Sequence, residues 1–192
     1  MIIFVNQIRL EIPMSQKVLL NAKEVNIILH RLACQLIEKH RDFSNTVLIG
    51  IQPRGKFLAN RLAKMLKEEY KIKNLQVGLL DITFFRDDFR RGEKPLEANT
   101  TEIHFLVEDK KIVFIDDVLY TGRSIRAALT AIQSFGRPKE IELLTLIDRR
   151  FSRHLPIQPD YRGRQVDAIN EEKVKVLWEE NEGEDAVYLI KT

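Results

Sequence analysis

Lys111-Ile112-Val113-Phe114-Ile115-Asp116-Asp117-Val118-Leu119-Tyr120-Thr121-Gly122-Arg123-Ser124 is the stretch around which the rest of the chain can be placed. Residues 112–115 are apolar and mostly β-branched or aromatic, the composition of a buried strand. Two adjacent carboxylates follow, then a compact Thr-Gly-Arg-Ser turn. Past the turn, Ile125, Ala128, Leu129 and Ile132 recur at helical spacing, which predicts an amphipathic helix from about Arg123. A strand that runs through a glycine turn into a helix N-terminus makes an anion site, because the first N–H groups of the helix have no partner inside it. Thr121 and Ser124 add hydroxyl donors. The two acids before this cup call for a different partner, either sugar hydroxyls or a Mg²⁺ ion. The ligand this implies is a phosphorylated sugar lying across the carboxyl end of the strand. Taken alone, the acid pair is also compatible with a solvated loop; the order strand, acids, hydroxyl-rich turn, helix is what favours a site. No Gly-Lys-Ser/Thr ending or triple-glycine fingerprint is present, so neither a Walker A loop nor a dinucleotide motif fits.

Working outward, the same unit recurs. Thr46–Ile51 predicts a second buried strand, Gln52-Pro53-Arg54-Gly55 a tight loop, and Phe57, Leu58, Leu62 and Leu66 a helix. Such a loop exposes backbone N–H groups as an anion nest. Arg54 is either a fork for phosphate oxygens or a residue that holds the turn. Residues 76–83 alternate as a third strand and 141–147 form another apolar run. Residues 174–178 and 186–190 read as short final strands around an acidic turn. Near the start, Asn21 and Glu24 form a capping-box pattern ahead of a helical stripe of Val25, Ile28, Leu29, Leu32, Leu36 and Ile37. His30, Arg31, Cys34, Lys39 and His40 fall on or near its other faces. Alternating strands and helices with ligand-type turns at strand ends predict an α/β doubly wound parallel sheet.

Composition sets wider bounds. The chain has 192 residues, enough for one well-cored domain, and 31 Lys and Arg against 28 Asp and Glu. A net charge of +3 does not by itself argue for nucleic acid. One cysteine excludes an intrachain disulfide and fits a reducing compartment. No apolar run reaches the length of a membrane span, so no membrane partner is expected and the expected location is cytoplasmic. Residues 1–20 read as an N-terminal extension and 21–192 as a single domain. The charged stretch of about 85–101 reads as a mobile loop.

The run 113–124 resembles the phosphoribosyl-diphosphate signature of the type I phosphoribosyltransferases. With Ile49 to Gly55, Asp81 to Asp88, Gly136-Arg137-Pro138, Leu155-Pro156-Ile157 and Asp160-Tyr161 in the same order, the chain is similar to one subfamily. That subfamily is the bifunctional pyrimidine operon regulatory protein and uracil phosphoribosyltransferase. The resemblance covers about residues 20–191. It implies that 5-phosphoribosyl 1-diphosphate and uracil give UMP and diphosphate. Asp116 and Asp117 would hold the ribose, with Mg²⁺ carried by the substrate beside them and no protein group assigned as its direct ligand. The segment Val118, Leu119, Tyr120, Thr121, Gly122, Arg123 and Ser124 would take the 5′-phosphate and line the pocket. Arg54, with Gly55, and Arg86 would meet the diphosphate, and Asp81 would brace the site. The loop of about 85–101 becomes a lid, and about 148–172 a hood over the base. Tyr120 stands where purine-type relatives place an aspartate and so argues for a pyrimidine. No side chain is identified as acceptor for the uracil proton.

The resemblance also implies a homodimer or dimer of dimers, and a pyrimidine operon leader RNA that Arg31 and Lys39 would meet. His30 and Cys34 depart from the regulatory relatives, and positive charge alone binds RNA without sequence selection. The alternatives are an attenuation protein with little catalysis and a purine phosphoribosyltransferase.

Overall fold

The computed structural model describes residues 16–87, 98–169 and 172–191. In chain order the elements are β1 (Gln16–Leu20), α1 (Ala22–His40), β2 (Thr46–Ile51), α2 (Gly55–Glu68), β3 (Gln76–Leu80), β4 (Lys111–Leu119), α3 (Arg123–Ala131), β5 (Glu140–Arg150), β6 (Tyr161–Asp167), β7 (Glu172–Leu177), α4 (Glu179–Glu182) and β8 (Ala186–Lys191). Five strands form a parallel sheet in the order β3-β2-β4-β5-β6, and β1-β8-β7 form a separate antiparallel sheet. The doubly wound expectation holds. Leu48, Val113, Ile115 and Leu146 face the stripes of α1 and α2. Ile49, Ile112, Phe114 and Leu143 face α3. A parallel strand covered on both faces must be apolar on both, which is why β2 and the first half of β4 are continuous apolar runs.

β4 is the central strand. It pairs with β2 on one side and β5 on the other, and its register sets Asp116 opposite Thr145 and Leu119 opposite Asp148. Up to Ile115 it is held from both edges, and beyond that its carboxyl end is held by β5 as far as Leu119.

The structure departs from the sequence reading in four places. Gln16–Leu20 does not trail as an extension but pairs with β8. The strand begun at Gln76 ends at Leu80, and Thr83–Phe85 make a single 3₁₀ turn. Tyr161–Asp167, placed within the hood, is the edge strand of the main sheet. It lacks a clear apolar alternation, because α1 covers it across Gly163, where a Cβ would lie 2.4 Å from the Leu146 carbonyl oxygen. Residues 88–97, most of the expected lid, and 1–15 lie outside the described residues.

The fourth departure is His40, expected on an open face and found buried at the last turn of α1. Its Nε2 lies 3.1 Å from Glu142 Oε2 and 2.9 Å from the Tyr161 hydroxyl, and Thr46 Oγ1 lies 3.1 Å from Nδ1. Tyr161 donates to Glu142 at 2.6 Å, and Lys39 Nζ lies 2.8 Å from the same carboxylate. This network joins α1, β2, β5 and β6 at the end of the sheet opposite the central motif. Burial holds His40 below its ordinary value of 6.5, outweighing the attraction of Glu142. Burial works to raise Glu142, but the Lys39 and Tyr161 hydrogen bonds win and hold it below 4.5.

A histidine with a depressed folded value contributes stability that is present above its unfolded value and lost as pH falls below it. The unfolding free energy is therefore expected to fall as pH drops through the ordinary histidine value of 6.5 and below. Glu142 adds its loss only at lower pH. Urea titrations of wild type and His40→Gln check this: the variant should lose most of the slope across that window.

Candidate active site

The central strand carries the predicted pair near its carboxyl end. Asp116 and Asp117 are both buried, at 8% and 6% exposure, and the Asp117 N–H donates to Asp116 Oδ1 at 2.9 Å. Burial pushes the Asp116 carboxyl well up, and the neighbouring Asp117 charge pushes the same way. Burial also raises Asp117, opposed by the Arg54 guanidinium. Two acids on successive residues point to opposite sides of a regular strand; here they lie just past Ile115, the last residue paired with β2, while β5 still pairs with the strand as far as Leu119.

Beyond them Leu119 is buried and Tyr120 exposed, and Gly122 caps α3 at φ 88°, a left-handed conformation that glycine adopts without strain. The carbonyl of Thr121 accepts from the His154 N–H at 3.0 Å, and that of Tyr120 accepts from Arg153, so the 153–157 segment seats the turn from above. A cleft of about 240 Å³ opens on Arg86, Asp87, Asp116 and residues 118–125. A second, of about 210 Å³, is lined by Gln52, Pro53, Arg54, Arg86, Asp117 and Ser124 among others. Because Arg86, Asp116, Val118 and Ser124 line both, the two form one trough along the strand ends.

The second loop joins this trough through close packing. A Cβ on Gly55 would lie 2.2 Å from the Ile115 carbonyl oxygen, so only glycine lets the start of α2 approach β4. Asp81 is buried and accepts from the Thr83 N–H at 3.2 Å and the Thr83 hydroxyl at 2.6 Å. It thereby fixes the 3₁₀ turn that delivers Arg86. Arg86 lies close enough to Asp116 to favour its charged form.

Arg54 sits at the trough but is turned inward. Its Nε donates to Asp117 Oδ2 at 2.8 Å, its Nη1 to Glu182 Oε1 at 3.0 Å, and its Nη2 to the Val176 carbonyl. Arg123 donates through Nε to both oxygens of Asp87 at 3.0 Å, and Arg126 reaches the same carboxylate. The Arg123 hydrogen bonds, with those of Arg126, hold Asp87 down to about 2. Arg149 is 5% exposed, its guanidinium 4.0 Å from the Tyr120 ring centre, and it donates to the Glu172 carbonyl at 2.8 Å. Sequence reading missed Asp87, Arg126, Arg149 and Glu182. The spacing of Arg123 and Arg126 on one helix face was the available signal for two of them; nothing local marks Glu182 or Arg149. Arg31 and Lys39 lie away from the trough: Arg31 donates to the Arg162 and Gly163 carbonyls, and Lys39 joins Glu142.

The raised values of the acid pair have a measurable cost. An acid whose folded value lies above its unfolded value loses stability as pH rises through that interval, so the ionised pair destabilises the fold at neutral pH. Asp116→Asn, which keeps the oxygen that accepts from Asp117, should melt about 2–4 °C higher at neutral pH, the shift for about 1 kcal/mol in a chain of this size. The gap should shrink on acidification toward about pH 4. Calorimetric scans at both pH values decide it.

A family profile described as the phosphoribosyl transferase domain matches residues 15–180. The chain is 46% identical over 173 residues to the bifunctional protein PyrR of Gloeothece citriformis, covering 90% of this chain and 96% of the relative. To the bifunctional protein pyrR of Enterococcus faecalis it is 39% identical over 178 residues, covering 93% and 98%. Among solved structures, a hypoxanthine phosphoribosyltransferase from Staphylococcus aureus superposes with a TM-score of 0.64 at 21% identity, over 90% of each chain. That of Trypanosoma cruzi gives 0.70 at 12% identity, over 95% of this chain and 94% of the other. At those identities the structures speak for the fold alone. Among the described residues, no helix is long and apolar enough to cross a membrane.

Proposed function

The chain belongs to the phosphoribosyltransferase family, and from that membership we propose that it joins uracil to 5-phosphoribosyl 1-diphosphate, giving UMP and diphosphate. The observation that carries the proposal is the continuity of the trough: a buried acid pair and a hydroxyl-lined helix start open onto one space. That order suits a ribose with phosphate at one end and diphosphate at the other. The exposed ring of Tyr120 beside the acids, together with the PyrR-named relatives, supports a pyrimidine over a purine acceptor.

Cleavage of the C1–O bond leaves positive charge on the ribose and negative charge on diphosphate. Asp116 and Asp117 accept from the 2′ and 3′ hydroxyls, and their charge favours the cationic ring. Residues 121–124 grip the 5′-phosphate through N–H groups and the Thr121 and Ser124 hydroxyls, holding C1 toward the base nitrogen. Arg86 and the Arg54 and Gly55 N–H groups receive the leaving diphosphate. Two buried carboxylates with raised proton affinity are a setting that a cation relieves. Among the described residues, no group of three or more His, Cys, Asp or Glu side chains is gathered to hold a metal. Mg²⁺ entering on the diphosphate would supply charge neutralisation of the leaving group.

A panel of uracil, orotate, hypoxanthine and guanine assayed for diphosphate release tests the acceptor. Uracil should turn over fastest by at least about tenfold, a difference of about 1.4 kcal/mol in transition-state binding. A purine in first place would overturn the assignment.

The relatives' name marks two functions, and leader-RNA binding is the second that we propose. Its support does not come from α1, where the heads of Arg31 and Lys39 are engaged by the fold. Gel shifts of the native pyrimidine leader and a scrambled hairpin, with and without UMP, test it. Selective, UMP-strengthened retention of the native hairpin is expected. Equal binding to both would leave catalysis alone.

A further inference from the structure

Arg54 is surrounded by acceptors that have nothing to do with a leaving group. Each of its three guanidinium nitrogens donates within the protein: to Asp117, to Glu182 and to the Val176 carbonyl. Glu182 is itself fixed, because its Oε2 accepts the Trp178 N–H at 3.0 Å. The short helix that carries it is anchored one step further on. Arg61, two turns along α2 from Arg54, donates to Glu180 at 2.8 and 2.6 Å and to Asp185 at 2.6 and 2.7 Å. Its guanidinium also lies 4.9 Å from the ring centre of Trp178, which is fully buried. Asp185 in turn accepts the Glu179 N–H at 2.9 Å. Arg54 and Arg61, seven residues apart and so on one side of the helix, clamp the β7–β8 connection onto the main domain from two points.

We propose that Glu182 is a positioning residue for the ribose site: with the Val176 carbonyl it holds Arg54 so that Nε–H faces Asp117 and sets that carboxylate for the sugar hydroxyls. The proposal rests on the reading of Asp116 and Asp117 as the ribose acids and deepens it. A guanidinium is a planar fork, and fixing two of its prongs fixes the direction of the third. Asp117 is 6% exposed and sits next to the equally buried Asp116, so an orienting cation on its outer side decides where its oxygens point. Arg86 acts on the Asp116 side of the pair. By this route the small antiparallel sheet, which contributes no group to the trough lining on its own, becomes part of the active site.

The alternative role for Arg54, a direct grip on diphosphate, makes the opposite prediction. If Arg54 had to leave Glu182 to reach diphosphate, removing Glu182 would free it and tighten binding. If Glu182 positions Arg54, removing it loosens Asp117 and weakens binding. Calorimetry of 5-phosphoribosyl 1-diphosphate with Mg²⁺ on wild type, Glu182→Gln, Arg54→Gln and the double variant separates them. Glutamine keeps an oxygen for the Trp178 N–H, so Glu182→Gln should fold normally, which its melting curve checks.

Glu182→Gln should bind the sugar diphosphate about tenfold more weakly, as for one charge-assisted hydrogen bond, with the KM for uracil unchanged. Arg54→Gln is worse, because it leaves Glu182 facing Asp117 with no cation between them. The double variant binds more tightly than Arg54→Gln, a non-additivity that a purely structural glutamate would not produce. Tighter binding by Glu182→Gln, additive losses, or an equal rise in the uracil KM would overturn the proposal. Wild type that fails to bind the sugar diphosphate would instead sink the reading of the trough itself.

Discussion

Two carboxylates side by side in a nearly dry strand end are the constraint to which the rest of the molecule answers. Asp116 and Asp117 repel each other and are both held from solvent. A fold tolerates this only where neighbouring strands, loops and cations hold the pair in place. β2 and β5 lock β4 from either side, Gly55 lets α2 close against its end, and Arg54 and Arg86 bring positive charge to the two acids. The instability stored there suits a site that must favour a cationic sugar. In the proposed reaction, the charge that burdens the fold becomes available to the ribose.

Positive charge is placed around the pair in graded fashion. Arg54 is immobilised by three acceptors, Arg123 and Arg126 share Asp87 at the mouth of the cup, and Arg149 lies under Tyr120 with its charge lowered in proton affinity by burial. Asp87 is a carboxylate within the cleft proposed for phosphate, so an entering phosphate meets arginines already oriented toward an anion. Preorganisation of this kind removes part of the ordering cost of binding. At the opposite end of the sheet the His40, Glu142 and Tyr161 network ties the bottom of the strands together through polar contacts. The sheet is thus pinned at both ends, while its middle is held by the backbone ladders and apolar packing.

Much was legible in the residues themselves. Strand, acid pair, glycine turn and helix were read from 111–132 because each depends on contacts within a few positions: an apolar run for the strand, a left-handed glycine for the turn, helical spacing for α3. The doubly wound architecture followed, since both faces of β2 and β4 must be covered and the intervening periodic segments supply the helices. Gly55 and residues 118–124 follow strands as the local pattern implied, whereas Asp81, read inside a strand of 76–83, lies just past the end of β3.

What the tertiary structure alone decided are the partners of charged and edge groups. Arg54 meets Glu182 across 128 positions, His40 meets Glu142 across 102, and Arg31 meets a β6 carbonyl across 132. None of these pairings leaves a period or a spacing in the chain. β6 was missed because an edge strand covered on one face by α1, with arginines on the other, has no sustained alternation. β1 was missed because its only claim to strand structure is the pairing that β8 offers. Local pattern reports which backbone a segment prefers and which face it buries. The direction in which a buried or half-buried charge turns is set by the nearest opposite charge in space, and only the completed fold brings that charge near.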